Sequence, residues 1–171
     1  MIRQARPSDA AELTELSFRS KGYWGYPEHY FEIWKDELTI SADDIAGKSI
    51  FVHEDHAAPV ITGYYSLVFL KEDQVFSGGV LAHGWWLEHM FVAPLCIGKG
   101  IGTRLFGHMR EFCLDRRIDS VGILTDPHAR GFYEKMGCVY LGEYASTIQD
   151  STTPHFECRV AGSSCKAEKT E

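Results

Sequence analysis

The sequence predicts one α/β domain with a mixed β-sheet over residues 1–160, followed by a polar tail at residues 161–171. Three observations support this class. Runs of β-branched and aromatic residues alternate with stretches of helical periodicity. A chain of 171 residues is long enough to bury one hydrophobic core. Neither an internal repeat nor a linker-like segment divides it.

The N-terminal part predicts a strand and three helical segments. "MIRQAR" favours a short opening strand, and residues 7–20 favour a helix with Ser8 or Asp9 as its N-cap. A second helix is expected over about 28–38, and a short helical turn over 42–47.

The middle of the chain predicts a hairpin, a loop and a central strand. The β-rich runs "SIFVHE" and "VITGYYSLVFL" flank "DHAAP", which is typical of a hairpin turn. Residues 71–84 are polar and contain glycines, so they favour a loop, and "WWLEHMFV" (85–92) favours the next strand. A helix after the glycines is expected from apolar residues at helical spacing: Ile101, Leu105, Met109 and Phe112.

The C-terminal part predicts the remaining strands of the sheet. "DSVGILT" favours a strand, and Asp126-Pro127 should cap and begin a short helix, "PHARGFYEKM", which ends at Gly137. "CVYLGEYAS" and "PHFECRV" would then complete the sheet.

Composition argues against several classes of function. The net charge is −7 and no lysine- or arginine-rich block occurs, so no nucleic-acid partner is expected. No apolar run approaches the roughly 20 residues of a membrane span, and the N-terminus lacks the apolar core of a signal peptide. The five cysteines are scattered without a C-x-x-C pair, which favours reduced thiols, a cytoplasmic protein and no metal site.

The stretch "EHMFVAPLCIGKGIGTRLF" (88–106) carries the functional signal. It runs from a strand through alternate glycines into a helix, an arrangement that suits a phosphate because helix N-terminal amides point outward. A Walker A loop does not fit, because no Lys-Ser/Thr pair follows Gly100. The dinucleotide fingerprint requires a third glycine at position 103, which is Thr103. A tight turn before a core helix needs fewer glycines than these three.

Two motifs in this order make the chain similar to the GNAT superfamily of acyl-CoA-dependent N-acyltransferases. The first is Arg/Gln-x-x-Gly-x-Gly/Ala, which falls on "IGKGIG" (97–102). The second is the later "TDPHARGFYEKMGC", which matches the family's Asn-x-x-x-x-x-Tyr-x-x-x-Gly-Phe segment in spacing and character. The resemblance covers residues 2–160 or nearly so. It implies a GNAT-like fold, a central twisted mixed sheet of about six or seven strands flanked by about four helices.

The resemblance also implies acetyl-CoA as co-substrate, and no metal. The pantetheine arm would lie along the first of two splayed central strands, at Met90, Phe91 and Val92. The pyrophosphate would be held mainly by backbone amides in one segment: Ile97, Gly98, Lys99, Gly100, Ile101, Gly102 and Thr103.

Two positions depart from the family pattern. Ile97 stands where Arg or Gln is usual, so Lys99 would supply the charge near the phosphates. His128 stands where the family often has an Asn that contacts pantetheine, and an imidazole can still donate or accept a hydrogen bond there.

Glu88 and Tyr133 are the candidate catalytic residues. Strand alternation would put Glu88 on one face with Trp86 and Met90, and His89, the rival base, on the other. Glu88 would take the acceptor's proton through a water, although a carboxylate paired with a lysine or arginine would fit the sequence as well. Tyr133 would protonate the CoA thiolate, or would simply pack on pantetheine.

The acceptor pocket is expected within residues 20–31, where Tyr23, Trp24 and Tyr26 could present ring faces to an amine, or could cap the core. The acceptor would be a small-molecule or peptide amine of unknown identity, and proteins of this family are often homodimers. The alternatives are an acyl-CoA-binding protein without catalysis and a nucleotide-binding α/β domain.

Overall fold

The structure of the protein is a computed structural model that describes residues 1–55, 59–76, 78–148 and 150–160. Most of the predicted "DHAAP" turn, at residues 56–58, and the tail at 161–171 lie outside these ranges. The helices and strands within them are β1 (Ile2–Gln4), α1 (Ala10–Gly22), α2 (Glu28–Ile33), α3 (Lys35–Leu38), α4 (Ala42–Gly47), β2 (Ser49–Glu54), β3 (Ile61–Leu70), β4 (Gln74–Phe76), β5 (Gly79–Leu81), β6 (Gly84–Val92), α5 (Ile101–Asp115), β7 (Ser120–Leu124), α6 (Arg130–Lys135), β8 (Val139–Ala145) and β9 (Thr152–Arg159).

A seven-stranded sheet in the order β1-β2-β3-β6-β7-β9-β8 organises the chain. The β6–β7 pair is parallel and the other pairs are antiparallel, so the predicted mixed sheet is confirmed. Residues 71–84, expected as a loop, contain the small hairpin β4–β5. Within the described ranges no helix is long and apolar enough to cross a membrane.

The helices differ from the prediction at two places. The single helix expected over 28–38 is divided at Trp34, whose backbone leaves the helical region (φ −90°, ψ 1°). Partly because of this break, the described part of the chain has six helices, whereas about four were expected. The first helix begins at Ala10 after a 3₁₀ turn. Its N-cap residue Asp9 makes no side-chain capping bond to it and pairs with Arg3 instead, at 2.7 Å.

Helices cover both faces of the sheet. On one face, α5 and α6 bury residues such as Leu105, Phe106 and Tyr133 against the central strands. On the other face, α1 buries Leu13 and Leu16 in a second cluster. Apolar residues therefore fill both interfaces, and the space for a ligand lies where the central strands separate.

A β-bulge at Glu88 changes which residues of β6 share a face. Ser66 pairs with His89 while Leu67 pairs with Leu87, so Glu88 is an extra residue without a partner on β3. The predicted alternation across Glu88 is therefore wrong. Met90 lies on the face of Leu87 against the α5 core, and His89 lies on the opposite face beside Phe91.

The central strands separate beyond the bulge. β6 and β7 pair at Trp86–Gly122 and Leu87–Ile123 and at no later position of the described strands. From Glu88 to Val92, one edge of β6 therefore has no β7 ladder partner, as the expected splay requires.

We expect Gly63→Ala to lower the free energy of unfolding by about 1–3 kcal/mol. A Cβ at this β3 position would lie 2.9 Å from the Phe91 carbonyl oxygen and 3.0 Å from a methyl of Leu105, and a backbone atom cannot easily move away. Urea unfolding measures the change. Gly107→Ala in α5 is the matched control, because its Cβ would meet nothing within 4 Å and a helical alanine should stabilise by about 0.5–1 kcal/mol. Equal changes in the two variants would contradict this packing argument.

Candidate active site

A cleft of about 430 Å³ lies between the separated ends of β6 and β7. It brings together most of the residues expected from the sequence. Those that line it are Trp24, Glu88, His89, Met90, Phe91, Val92, Ile97, Gly98, Gly100, Gly102, Thr103, His128 and Tyr133. Four expected residues are not among its lining: Tyr23, Tyr26, Lys99 and Ile101. The Ile101 side chain is buried in the α5 core, and Lys99 is exposed.

The glycine-rich segment forms an open cradle of amide groups at the N-terminus of α5. Gly98 and Gly100 have left-handed backbones, with φ of 79° and 81°, and a Cβ at either would meet nothing within 4 Å. Within the described chain, the N–H groups of the loop glycines and the first turn of α5 (Gly98, Gly100, Ile101, Gly102 and Thr103) have no hydrogen-bond acceptor. These amides at a helix N-terminus suit a phosphate or pyrophosphate.

The two departures from the family pattern both lie at the cleft. Ile97 follows the 3₁₀ turn Pro94–Cys96, and its N–H donates to the Pro94 carbonyl at 3.3 Å. The His128 ring stacks on Trp24 with centroids 4.8 Å apart and planes 2° apart. The imidazole edge therefore remains available for hydrogen bonding while its face is covered.

Glu88 faces the cleft from the bulge and is also ion-paired. Its Oε1 lies 2.9 Å from Lys48 Nζ, and its Oε2 accepts from Ser66 Oγ at 3.2 Å. The side chain is 30% exposed, so the carboxylate remains accessible from the cleft. The two interpretations of Glu88, a base and a paired carboxylate, are thus compatible.

Glu88 and His89 lie together, contrary to the expectation that only one could point at the substrate. The His89 Nδ1 atom is 3.6 Å from Glu88 Oε2, and Ser66 Oγ lies within hydrogen-bond range of both side chains. The bulge is the cause, because it turns Glu88 out of the regular alternation toward the side of His89.

Tyr133 lies at the inner wall of the cleft. It is 5% exposed and packs against Phe106 and Phe156. Burial raises the pKa of the Tyr133 phenol, against a smaller lowering by its hydrogen bond with Thr125. The phenol is therefore protonated at neutral pH and can donate a hydrogen bond or a proton.

The fold and this cleft agree with a family assignment made on sequence. The model of the acetyltransferase (GNAT) family matches residues 11–138. The chain belongs to this acetyltransferase family. Among curated proteins, none matches the sequence.

Solved GNAT-family structures share the fold of this acetyltransferase. PaiA N-acetyltransferase from Thermoplasma acidophilum, in complex with coenzyme A, is 18% identical with a TM-score of 0.71, over 93% of this chain and 98% of that one. A GCN5-related N-acetyltransferase from Rhodopseudomonas palustris is 17% identical with a TM-score of 0.71, over 93% and 94%. A GNAT family acetyltransferase from Brucella melitensis, in complex with acetyl-CoA, is 17% identical with a TM-score of 0.57, over 93% and 86%.

The aromatic residues of the α1–α2 region have three different environments in this GNAT-family chain. Trp24 lines the cleft beside His128. Tyr23 is 52% exposed and contacts the edge of Trp24, with centroids 5.0 Å apart. The Tyr26 hydroxyl donates to Asp126 at 2.8 Å and its ring packs on Trp34. Of the three, Trp24 is the one placed to contact a ligand directly.

Sequence reasoning missed an ion pair that joins the two sides of the cleft. Lys21 Nζ, from the end of α1, lies 2.8 Å from Asp126 Oδ2 and 4.3 Å from the centroid of the Trp34 ring. The predicted cap is present, since Asp126 accepts from the His128 N–H at 3.0 Å, but the same carboxylate also binds Lys21 and Tyr26. The sequence signal that could have indicated this pair is Asp126 itself, a charged residue directly after the predicted strand "DSVGILT".

We expect Asp126→Asn to lower the free energy of unfolding by about 2–4 kcal/mol at pH 7, because it leaves the Lys21 ammonium without a counter-charge. Burial alone would raise the pKa of Asp126, but Lys21 and the hydrogen bonds lower it below its usual value. A lowered folded-state pKa gives stability that is present above the unfolded value of about 4 and lost as the pH falls through the folded value. Urea unfolding from pH 7 to pH 3 should therefore show the difference between wild type and variant shrinking in acid.

Tyr26→Phe is the matched control for this ion pair. It removes one hydrogen bond to Asp126 but keeps the charge pair, so a loss of about 1 kcal/mol is expected. If Asp126→Asn costs no more than Tyr26→Phe, or if its cost is the same at pH 3 and pH 7, the pair does not stabilise the protein as stated.

Proposed function

We propose that this chain is an N-acetyltransferase that transfers an acetyl group from acetyl-CoA directly to a primary amine. One observation carries the proposal. The open edge of β6, the free amides at the N-terminus of α5 and the Glu88 carboxylate all face one cleft. The β6 edge would bind the arm that carries the thioester, the α5 amides would bind the pyrophosphate, and Glu88 would accept a proton from the amine.

Acetyl-CoA fits the residues present. The amides of Gly98 and of Gly100 to Thr103 would receive the pyrophosphate, whereas the Lys99 N–H already donates to the Cys96 carbonyl at 3.2 Å. Open space at Gly98 and Gly100 would allow close approach of the phosphates. Met90 to Val92 would hold the pantetheine arm along the unpaired edge of β6 as an added strand. When bound, acetyl-CoA supplies an activated acyl group. The CoA and acetyl-CoA complexes among similarly folded proteins agree with this assignment.

Glu88 would act as the general base and Tyr133 as the general acid. Glu88 would remove the acceptor's proton through a water molecule, because the carboxylate reaches the cleft and is not fully buried. A backbone amide of β6 would face the thioester oxygen and stabilise negative charge on it. Tyr133 would donate to the departing sulfur, because its phenol keeps its proton at neutral pH.

The charges around the cleft favour a cationic acceptor. The charged residues that line the cleft are three carboxylates and two lysines, of which Lys21 is paired with Asp126. Glu37 and Glu88 lie together beside His89, and the chain carries a net charge of −7. A primary ammonium, on a small molecule or a peptide, would be attracted to this end of the cleft. Because acetyl-CoA is an intracellular metabolite, a cytoplasmic location is part of the proposal.

Two experiments test the proposal in sequence. Acetyl-CoA should raise the melting temperature of the protein, whereas NAD and ATP should not. A panel of primary amines, read by release of free CoA and by mass spectrometry, should then yield at least one acetylated product. Stabilisation by acetyl-CoA without turnover of any amine would instead indicate an acyl-CoA-binding protein. Stabilisation by NAD or ATP alone would indicate a nucleotide-binding domain.

A further inference from the structure

A buried histidine lies directly behind Glu88. The side chain of His89 is 4% exposed and is enclosed by the rings of Tyr64 and Phe91. Its Nε2 lies 3.0 Å from the Glu37 carbonyl oxygen, at the end of α3, and its Nδ1 lies 3.1 Å from Ser66 Oγ on β3. Both ring nitrogens therefore have a partner.

These partners fix the tautomer of His89. A carbonyl oxygen can only accept, so Nε2 carries the hydrogen and donates to Glu37. In the neutral ring Nδ1 is then an acceptor, and the group in range to donate to it is the Ser66 hydroxyl. That hydroxyl also lies 3.2 Å from Glu88 Oε2. The single Ser66 hydrogen can thus be given to His89 or to Glu88.

The two oxygens of Glu88 have different environments. Oε1 lies against the ammonium of Lys48, which can donate but cannot accept a proton. Oε2 lies toward Ser66 and His89. A proton that reaches Glu88 therefore has a route inward through Oε2, to a base at the end of a hydrogen-bonded chain.

Charged groups from three elements face the His89 ring. Burial lowers the pKa of His89, and the cation Lys48, which follows α4, acts in the same direction. The charges of Glu88 on β6 and Glu37 on α3 oppose these effects, as does the hydrogen bond to the Glu37 carbonyl, and the net direction is downward. The ring is neutral at neutral pH and has an unprotonated Nδ1 to receive a proton.

The proposed acetyl transfer requires two protons to leave the acceptor nitrogen. A primary ammonium loses one before it can attack and a second as the amide forms, whereas one carboxylate holds one proton. We propose that His89, reached through Ser66, is the second proton-holding position of the site and acts through Glu88; this inference rests on the proposed function. Ser66 and His89 are positioning residues, because Glu88 is the group that meets the acceptor.

The protons and bonds balance as follows. Glu88 takes the first proton from the ammonium and passes it on at Oε2, while the Ser66 hydrogen moves to His89 Nδ1, so Glu88 is again a carboxylate. The amine nitrogen forms its bond to the acetyl carbon, the carbon–sulfur bond breaks, and Glu88 takes the second proton. The thiolate receives a proton from Tyr133, which regains one from solvent, and Glu88 and His89 release their two protons to solvent. The net release is one proton, as conversion of an ammonium and a thioester to an amide and a thiol requires.

The test compares primary amines that arrive with and without the extra proton. Ethylamine is an ammonium at neutral pH, whereas 2,2,2-trifluoroethylamine is of similar size and largely neutral, so it loses one proton instead of two. Ser66→Ala and His89→Gln should lower kcat for the basic amine about tenfold and leave kcat for the weakly basic amine within about twofold of wild type. Where wild type prefers another amine from the panel, that amine and its fluorinated analogue form the pair. Ser66→Thr, which keeps the hydroxyl, should restore the rate with the basic amine.

A second measurement uses the protein alone. Nitrogen-15 NMR of the histidine rings should show hydrogen on Nε2 of His89, and Glu88→Gln should move the His89 titration to lower pH because it removes a stabilising negative charge. An unmoved titration, or equal rate losses with the two amines, would overturn this proposal while leaving the acetyltransferase intact. If wild type acetylates no primary amine of the panel, the proposed function itself fails. Melting temperatures with acetyl-CoA identify any variant that has lost the fold, and the His89 titration in wild type and Glu88→Gln then carries the test.

Discussion

Gly100→Asp is expected to weaken acetyl-CoA binding at least about 100-fold, equivalent to about 2.7 kcal/mol. Gly100 is the N-cap of α5, with φ of 81°, and a side chain there would project into open space above the amide cradle. An aspartate would place a carboxylate where the pyrophosphate is expected, and would oppose the favourable field of the helix N-terminus. Isothermal titration with acetyl-CoA measures the loss directly.

Two controls separate the effect of charge from that of backbone strain. Gly100→Asn introduces a side chain of similar size that tolerates a left-handed backbone and carries no charge, so its loss should be several-fold smaller. Gly107→Asp places the same charge on an exposed position of α5 with open space around it, and should leave the dissociation constant unchanged. Full binding by Gly100→Asp would mean that the pyrophosphate is held elsewhere.

Glu88→Gln is expected to lower kcat by about 10²–10⁴-fold while the KM for acetyl-CoA stays within a factor of about three. The amide oxygen of glutamine can still accept from Lys48, and its NH2 group can donate to the Ser66 hydroxyl oxygen, so the local contacts are retained and the capacity to take a proton is lost. Steady-state kinetics with the best amine of the screen, read by release of CoA, provides the measurement.

Glu37→Gln is the matched control, because Glu37 is a second carboxylate that lines the same cleft. It should alter the KM for a cationic amine more than it alters kcat, since it contributes charge and no proton transfer. A kcat for Glu88→Gln close to wild type would leave Glu88 as an ion-pair partner of Lys48 and would remove it from the mechanism.

The order and type of the main elements could be predicted because they depend on local patterns. Apolar periodicity located α5, and the strand, glycines and helix in succession located the cradle of amide groups at its N-terminus. The division of the second helix at Trp34 was missed because this aromatic residue carries no helix-breaking signal. The hairpin within residues 71–84 was missed because its strands have three residues each, too few for a periodic pattern.

The arrangement of the candidate catalytic residues could be predicted in part. Glu88 was expected at the site from its place in an apolar strand and Tyr133 from the family resemblance, and both line the cleft. Their surroundings were not, because the bulge at Glu88 depends on the register of β6 against β3, and a sequence records no register. For the same reason Ser66, Lys48 and Lys21 were not anticipated, since each reaches the site from a distant part of the chain.

Because of the bulge, replacing Glu88 and deleting it would have different structural effects. A replacement at Glu88 changes one side chain and leaves the bulge in place. Deletion of Glu88 would remove the extra residue, so that Leu87 and His89 would follow each other in a regular ladder and the later side chains would keep their faces. The extra residue therefore adds a carboxylate at the cleft without changing which way the rest of β6 points.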